Sequence, residues 1–486
     1  MKRRKRKAKT SAARAGLIFG LAFSVVVLIG TILIWEYGRW EASKSEGAPV
    51  VNREAFFGEL IPEIQKDGGA AEAVQEPHKN QEGEEIHAGQ EREEIREGQG
   101  QLSGVSQTSG EGQRLDGVQS ILTEKEKSET GSLASPSEEK QAGRYAKELQ
   151  DEDYRKANNI YAVETAVPGE ITLGFGGDIL FDPNYSIMVS MLSRGKGVEG
   201  AFSEGVLTQM RSADLMMVNN EFTYTNRGTP IPEKAYTFRA KPESVQYLHD
   251  MGVDLVSLAN NHAFDYGEES LLDTLDTLES AGIPSVGAGR NLEEASAPVY
   301  MIAGDIKIAI VSATQIERLE HPDTRGATEE LPGVFRCWDP AKLLETVKKA
   351  KENSDFVIVY IHWGTENVTE PDTWQLGQAP KLAEAGADLI IGDHPHCLQP
   401  IALEGRVPVI YSLGNFWFNS RELDTCMVKA VVDENGLKSL QFLPALQKNC
   451  FTSFLDGEEK HRVLEFMRSI SPGIRIDGEG YIALPQ

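Results

Sequence analysis

Two histidines one residue apart, His394 and His396, follow directly on an apolar run that is typical of a buried strand. Imidazole is the commonest side-chain metal ligand, so an H-x-H step presents two ligands at one place. Open α/β sheets bind their ligands at the carboxyl ends of the strands. A loop pair of this kind is more often solvated when it stands alone, so the metal-binding interpretation depends on what surrounds it.

Four further polar clusters upstream end apolar runs in the same way. They are Asp178, Glu221, Asn261 with His262, and His362. Carboxylate, amide and imidazole groups together suit a borderline divalent ion such as Mn²⁺, Fe²⁺ or Zn²⁺. The number of ligands indicates one or two ions, and two ions would share a carboxylate. Each cluster alone could be a turn, a helix cap or a buried histidine; their common placement favours a metal site.

His262 directly follows the amide that is predicted to bind metal. Imidazole is the side chain that most often transfers protons near neutral pH, so His262 could protonate a leaving group. The chemistry predicted from these residue types is therefore metal-dependent hydrolysis.

The elements that must position these residues alternate between strand and helix. Strands are predicted at residues 171–173, 215–218, 253–258, 307–311, 356–361, 387–391 and 407–413, and helices at 242–251, 268–281, 340–351, 379–385 and 461–469. The first strand is expected to end in a glycine-loosened turn at residues 174–178. Such alternation predicts a layered α/β domain. The stretch after residue 437 has mixed signals and stays unassigned apart from its last helix.

Charge is distributed unevenly along the 486 residues. The balance is +8 for residues 1–40, −12 for residues 41–160 and −21 for residues 161–486. Nucleic-acid binding requires a basic footprint, so the acidic remainder argues against nucleic acid as a partner. The four cysteines have no C-x-x-C spacing, which argues against a zinc ribbon.

The N-terminal region predicts a membrane anchor. Residues 1–16 form a basic segment, and residues 17–35 give 19 positions without a charge. At about 1.5 Å per residue, this run is long enough to cross a ~30 Å hydrocarbon layer. The positive-inside rule keeps the N-terminus cytoplasmic and places the rest of the chain outside the cytoplasm, at the cell membrane. A cleaved signal peptide is the alternative, but its apolar core is normally shorter.

Residues 36–165, rich in Glu, Gln, Gly and Ser, are expected to be a disordered acidic linker.

The order of the motifs GD, NNE, NNH, HWG, GDHPH and YSLGNFWF resembles the CapA family of capsule (poly-γ-glutamate) synthesis proteins. That family is similar to the calcineurin-like metallophosphoesterases. The resemblance implies a four-layer α/β/β/α sandwich for residues 166–450, followed by a C-terminal extension at residues 451–486.

The resemblance also implies roles for individual residues. The implied ligands are Asp178 and His396 for one ion, Asn261, His362 and His394 for the other, and Glu221 between them. His262 corresponds to the superfamily's general acid, and Arg239 and Asn220 are the expected substrate contacts. Asp393 either orients His394 or faces solvent.

Two positions depart from the superfamily pattern. Its first motif is D-x-H, whereas this chain has Leu180 at the last position, so one ion loses a ligand. Its bridging aspartate is replaced by Glu221, whose additional methylene moves the carboxylate.

Three functions follow as expectations. The first is a membrane-anchored extracytoplasmic metal-dependent hydrolase in capsular poly-γ-glutamate synthesis or export, with the polymer, capsule synthase membrane proteins and the membrane as partners. The second is a non-catalytic scaffold of the same machinery. The third is a surface metallophosphatase or nucleotidase unrelated to capsule. A polyanionic polymer is repelled by a domain of charge −21, so the first two need the ions or a patch such as Arg239 and Lys241 to attract it.

Overall fold

The computed structural model describes residues 143–316 and 324–485. The predicted cytoplasmic segment, the predicted membrane anchor and residues 36–142 of the predicted linker lie outside these residues. Within the described ranges, no helix combines the length and the apolar character that crossing a membrane requires.

Two large sheets form the framework. The eight-stranded sheet has the order Thr452–Phe454, Gly436–Gln447, Leu423–Asp433, Glu170–Ile179, Leu215–Asn220, Leu255–Ser257 and Ser285–Val286, with Asn415–Trp417 paired to Glu170–Ile179. The seven-stranded sheet has the order Ile160–Ala162, Val299–Ala303, Ile306–Thr314, Phe356–His362, Leu389–Asp393, Val407–Ile410 and Ile401–Glu404. Each sheet has a parallel centre, and antiparallel strands continue it on one or both sides. Two short pairs, Thr223–Tyr224 with Arg239–Ala240 and Ala288–Gly289 with Gly333–Val334, complete the strands described.

The two sheets pack face to face and helices cover their outer faces. Side chains alternate along a strand, so Leu215 and Met217 lie in the core between the sheets, whereas Met216 and Val218 face the helices. The helices over the eight-stranded sheet are Ser186–Arg194, Glu204–Arg211, Gln246–Met251 and Glu268–Ala281. Those over the seven-stranded sheet are Leu292–Ser296, Ala341–Glu352 and Thr373–Ala385. The predicted α/β class is confirmed.

The strand Glu170–Ile179 corrects one prediction, because it continues through the glycines that were expected to form a turn. A Cβ atom at Gly177 would lie 1.9 Å from the carbonyl oxygen of Gly414. Glycine is needed here because the parallel neighbour Asn415–Trp417 approaches so closely. The same composition that loosens a turn can therefore permit close strand packing.

The ends of the folded region also differ from the sequence-based boundaries. The helices Ala146–Gln150 and Glu152–Ala157 and the strand Ile160–Ala162 fall within the predicted linker, and the strand joins the seven-stranded sheet. At the other end, the helix Gly457–Ile470 contributes buried apolar side chains to the core between the sheets. The helix Thr373–Ala385 begins six residues before its predicted start, because Asp372 and Gln375 form a capping box.

Candidate metal centre

Polar side chains replace apolar ones where the core between the sheets reaches the carboxyl ends of the parallel strands. In Phe356–His362, the inward-facing row passes through Ile358 and Tyr360 and ends at His362. In the neighbouring strand, Ile391 is followed on the same face by Asp393. His362 and Asp393 are register partners, and His362 Nδ1 lies 2.9 Å from Asp393 Oδ1.

This pairing corrects the expectation for Asp393. The residue was expected to orient His394 or to face solvent, but it is fully buried and contacts His362. An acceptor at Nδ1 leaves His362 Nε2 facing the other predicted ligands, as a metal-binding histidine requires.

The eight-stranded sheet supplies a residue that sequence reasoning missed. Asn219 continues the inward-facing row of Leu215 and Met217, and its Nδ2 donates to Asp178 Oδ1 at 2.8 Å. Asn220, the expected substrate contact, follows the opposite alternation, and its amide donates to the carbonyl of Phe222 at 2.8 Å. The period-2 pattern of the strand was the signal that could have distinguished the two asparagines.

One ligand group contains Glu221, His362 and His394, whose ligand atoms all lie within 4.8 Å of one another. His362 Nε2 lies 2.8 Å from Asn261 Oδ1 and 3.1 Å from His394 Nδ1. The structure therefore brings together the amide, the two imidazoles and the carboxylate that were predicted for one ion.

A second ligand group contains Asp178, Glu221 and His396, again within 4.8 Å of one another. His396 Nδ1 lies 3.1 Å from Asp178 Oδ2 and 2.7 Å from Asn415 Oδ1. Glu221 belongs to both groups, so it lies where a shared carboxylate was predicted. Leu180 is buried in the apolar core on the helix side of the sheet, which accounts for the missing D-x-H ligand.

The charges of the cluster suit a divalent cation. Glu221 is fully buried and its Oε1 has no hydrogen-bond partner among the described residues. Burial, together with Asp178 and Asp393, raises the pKa of Glu221 well above its ordinary value. Burial and the neighbouring imidazoles lower the pKa of His394, which favours the neutral form that binds metals. Buried carboxylates and imidazoles, among which one oxygen of Glu221 accepts no hydrogen bond from the described residues, form a fitting ligand set for Mn²⁺, Fe²⁺ or Zn²⁺.

The backbone of the H-P-H step is strained. His394 has φ 91° and His396 has φ 56°, both in the left-handed region that non-glycine residues rarely adopt. Each such residue costs on the order of 1–3 kcal/mol, and residues of this kind cluster at functional sites. Here the two unusual backbone conformations direct both imidazoles towards the buried carboxylates.

His262, the predicted proton donor, is held at the edge of the cluster. Its Nδ1 lies 2.7 Å from Asp265 Oδ2, and its Nε2 lies 3.9 Å from Glu221 Oε1. Asp265 also accepts hydrogen bonds from Lys234 Nζ and from the backbone N–H of Phe238, both at 2.6 Å. Burial raises the pKa of Asp265 to about 7, against the opposing charge of Lys234. Sequence reasoning missed both charged residues, although an aspartate three positions after the histidine was a visible signal.

The expected basic patch has one half-buried and one exposed member. The Arg239 guanidinium lies over the ring of Tyr266, 4.3 Å from its centroid. Lys241 is exposed to solvent. Among the described residues, neither side chain forms a hydrogen bond or ion pair with the ligand groups, so the role of this patch stays a prediction.

Comparison with known proteins identifies the family. A family model described as "Bacterial capsule synthesis protein PGA_cap" matches residues 172–420. The chain is 31% identical over 288 residues to "PGA biosynthesis protein CapA" of Bacillus subtilis, which covers 58% of this chain and 73% of that protein. It is 33% identical over 243 residues to "Capsule biosynthesis protein CapA" of Bacillus anthracis, which covers 48% and 58%. A probable polyglutamine synthesis accessory protein of Mycobacterium tuberculosis is 30% identical over 210 residues, which covers 42% and 55%. The chain belongs to the bacterial capsule synthesis protein family, within the metallophosphoesterase-like superfamily.

Proposed function

We propose that this chain is a metal-dependent hydrolase of capsular poly-γ-glutamate synthesis or export, held outside the cytoplasm by an N-terminal membrane anchor. The observation that carries the catalytic part is Glu221, which is shared between the ligand group of His362 and His394 and that of Asp178 and His396. The names of the Bacillus relatives support the role in poly-γ-glutamate synthesis.

The two ligand groups define where one or two divalent ions would bind. Asp178, His396 and Glu221 would hold one ion, and Asn261, His362, His394 and Glu221 the other. A bound ion of this type supplies Lewis acidity towards a carbonyl or phosphoryl oxygen. The protein contributes a buried pocket in which carboxylates and imidazoles are already positioned.

His262 would supply the proton that the leaving group needs. Asp265 fixes Nδ1 as the atom that faces the carboxylate, so Nε2 faces Glu221. The ring of Phe238, 4.3 Å from that of His262, restricts the imidazole on one face. Asp265 and Phe238 are therefore positioning residues for the proton donor.

The substrate is expected to be the γ-glutamyl polymer or a phosphoester. Two ions that share a carboxylate would stabilise the attacking and the leaving oxygen of an in-line displacement, and this favours phosphoester chemistry. The family favours the polymer. A scaffold that binds metal without turnover remains the third outcome, and the substrate assay distinguishes among them.

Metal content is the first test of this proposal. The full-length chain should bind Mn²⁺, Fe²⁺ or Zn²⁺, and the double variant His362→Ala with His394→Ala should lose it. His461→Ala is the matched control, because that imidazole is 71% exposed and lies on the C-terminal helix. Equal metal content in the double variant and the control would refute the metal site.

Hydrolysis is the second test. Wild-type protein loaded with metal is incubated with poly-γ-glutamate and with a p-nitrophenyl phosphodiester. His262→Asn should retain bound metal and lose turnover of whichever substrate is cleaved. Cleavage of neither compound, with metal bound, would favour the scaffold.

A further inference from the structure

The loop after His362 is fixed against the H-P-H step. The backbone N–H of Asn367 donates to the carbonyl of Pro395 at 2.8 Å. The Asn367 side chain accepts a hydrogen bond from Arg421 at 2.8 Å. The backbone N–H of Gly364 donates to Gln315 Oε1 at 3.2 Å. Contacts at both ends therefore hold the loop in place, so the position of Glu366 between them is set by the fold.

The Glu366 carboxylate lies beside both histidines of that step. Ligand atoms of Glu366, His394 and His396 fall within 4.8 Å of one another. Glu366 is exposed, and its carboxylate has no hydrogen-bond or ion-pair partner among residues 143–316 and 324–485. An exposed acid is usually only a solvated surface group. Glu366 differs because its carboxylate lies within ligand distance of His394 and His396, whose backbone is held in the left-handed region.

The second ligand group is short of ligands. Asp178, Glu221 and His396 provide three side chains, and Leu180 points into the apolar core instead of supplying a fourth. Mn²⁺ and Fe²⁺ sites prefer more than three protein or solvent ligands. Glu366, which lies beside His394 and His396, offers the centre a further carboxylate.

We propose that Glu366 is a further metal ligand, which closes the centre on its solvent side next to His394 and His396. The proposal rests on the proposed metal site and adds a residue to it. It assigns a role to the fifth residue of the H-W-G-T-E sequence, of which only the histidine was a predicted ligand.

The test compares Glu366→Gln with Glu370→Gln in the full-length chain. Glu370 is an exposed acid four residues further along the same loop, so both variants remove one negative charge from nearly the same place. Affinity for Mn²⁺ and Zn²⁺ is measured by titration calorimetry, and bound metal is counted after dialysis. Glu366→Gln should weaken at least one ion by about tenfold or more, the effect typical of losing a contributor to a metal site. Glu370→Gln should stay within twofold of wild type.

Glu366→His provides the second readout, because it restores a metal ligand without the charge. Its affinity should exceed that of Glu366→Gln. Equal affinities for Glu366→Gln and Glu370→Gln, with metal bound to both, would overturn the role of Glu366 and leave the proposed site intact. Wild-type protein that binds no metal would overturn the proposed site itself, together with this inference.

Discussion

Replacing Glu221 by glutamine should stabilise the metal-free protein and remove most of the stabilisation that metal provides. Glu221 is fully buried, its Oε1 accepts no hydrogen bond from the described residues, and Asp178 and Asp393 lie near it. Because burial and the nearby acids raise the pKa of Glu221, the metal-free fold must either keep this carboxylate charged in the core or protonate it, and both cost stability above its ordinary pKa; glutamine keeps the shape and avoids that cost. An unsatisfied buried polar group costs about 1–3 kcal/mol, and more when it is charged. Relief of that cost should raise the metal-free Tm by roughly 2–4 °C for each kcal/mol in a domain of this order of size.

Metal should reduce the stability advantage of the glutamine variant over wild type. An ion at a free concentration 100 times its Kd stabilises the folded state by about 2.7 kcal/mol. Wild type gains this because Glu221 belongs to both ligand groups. The glutamine variant lacks the shared carboxylate and should gain less than half as much. Glutamine is thus expected to be the more stable side chain in chelator, and its advantage over glutamate should shrink by more than about 1 kcal/mol in excess Mn²⁺.

The assay is thermal unfolding of both proteins with chelator and with Mn²⁺, and Asp265→Asn is the control. Asp265 is equally buried, but its oxygens accept hydrogen bonds from Lys234, Phe238 and His262. Asparagine replaces one acceptor oxygen by an N–H₂ donor that faces the donors Lys234 and Phe238, so buried donors lose their acceptor and the metal-free Tm should fall. If Glu221→Gln also lowered the metal-free Tm, or kept the full increase in Tm that Mn²⁺ gives wild type, the argument that the buried Glu221 carboxylate needs a cation would be refuted.

Three further outcomes are expected. Asp393→Asn should weaken metal binding by roughly 10- to 100-fold in calorimetry, because it removes the carboxylate that orients His362. Gly177→Ala should lower the free energy of unfolding, by about 1–3 kcal/mol or more in a denaturant titration, because its Cβ would overlap the Gly414 carbonyl oxygen. Deletion of residues 451–486 should prevent soluble expression, because their helix contributes buried apolar side chains to the core between the sheets and their strand pairs with Gly436–Gln447.

The ligand types and their strands could be predicted from sequence, because each predicted ligand follows an apolar run and parallel strands end at a common edge. Asn219 shows what a finer use of the same rule would add. It shares a face with Met217 by the period of two, which separates it from Asn220. The α/β class followed from the alternation of elements, which is a local signal.

Contacts between distant segments were beyond the sequence. Asp393 meets His362 because their strands are register partners, and no local pattern gives that register. Glu366 lies beside the histidines because the neighbouring Asn367 donates a backbone hydrogen bond to the Pro395 carbonyl in another loop. The glycines near Gly177 were assigned to a turn, because the neighbouring strand that needs them lies more than two hundred residues away in the chain.

Under the proposed function, the acidic charge of the domain makes the ions necessary for more than bond cleavage. Residues 161–486 carry a net charge of −21. Asp178 and Glu221 of the ligand groups are buried at the metal centre, and Asp393, which contacts His362, is buried beside them. A polyanion approaching this edge of the sheets meets repulsion that nearby cations must outweigh, and within about 8 Å salt screens such charges only partly. Arg239 is half-buried over Tyr266, which leaves the ions as the strongest local positive charge. Binding of the polymer and assembly of the metal centre are therefore expected to be one event, in which the ion both satisfies the buried acids and attracts the substrate.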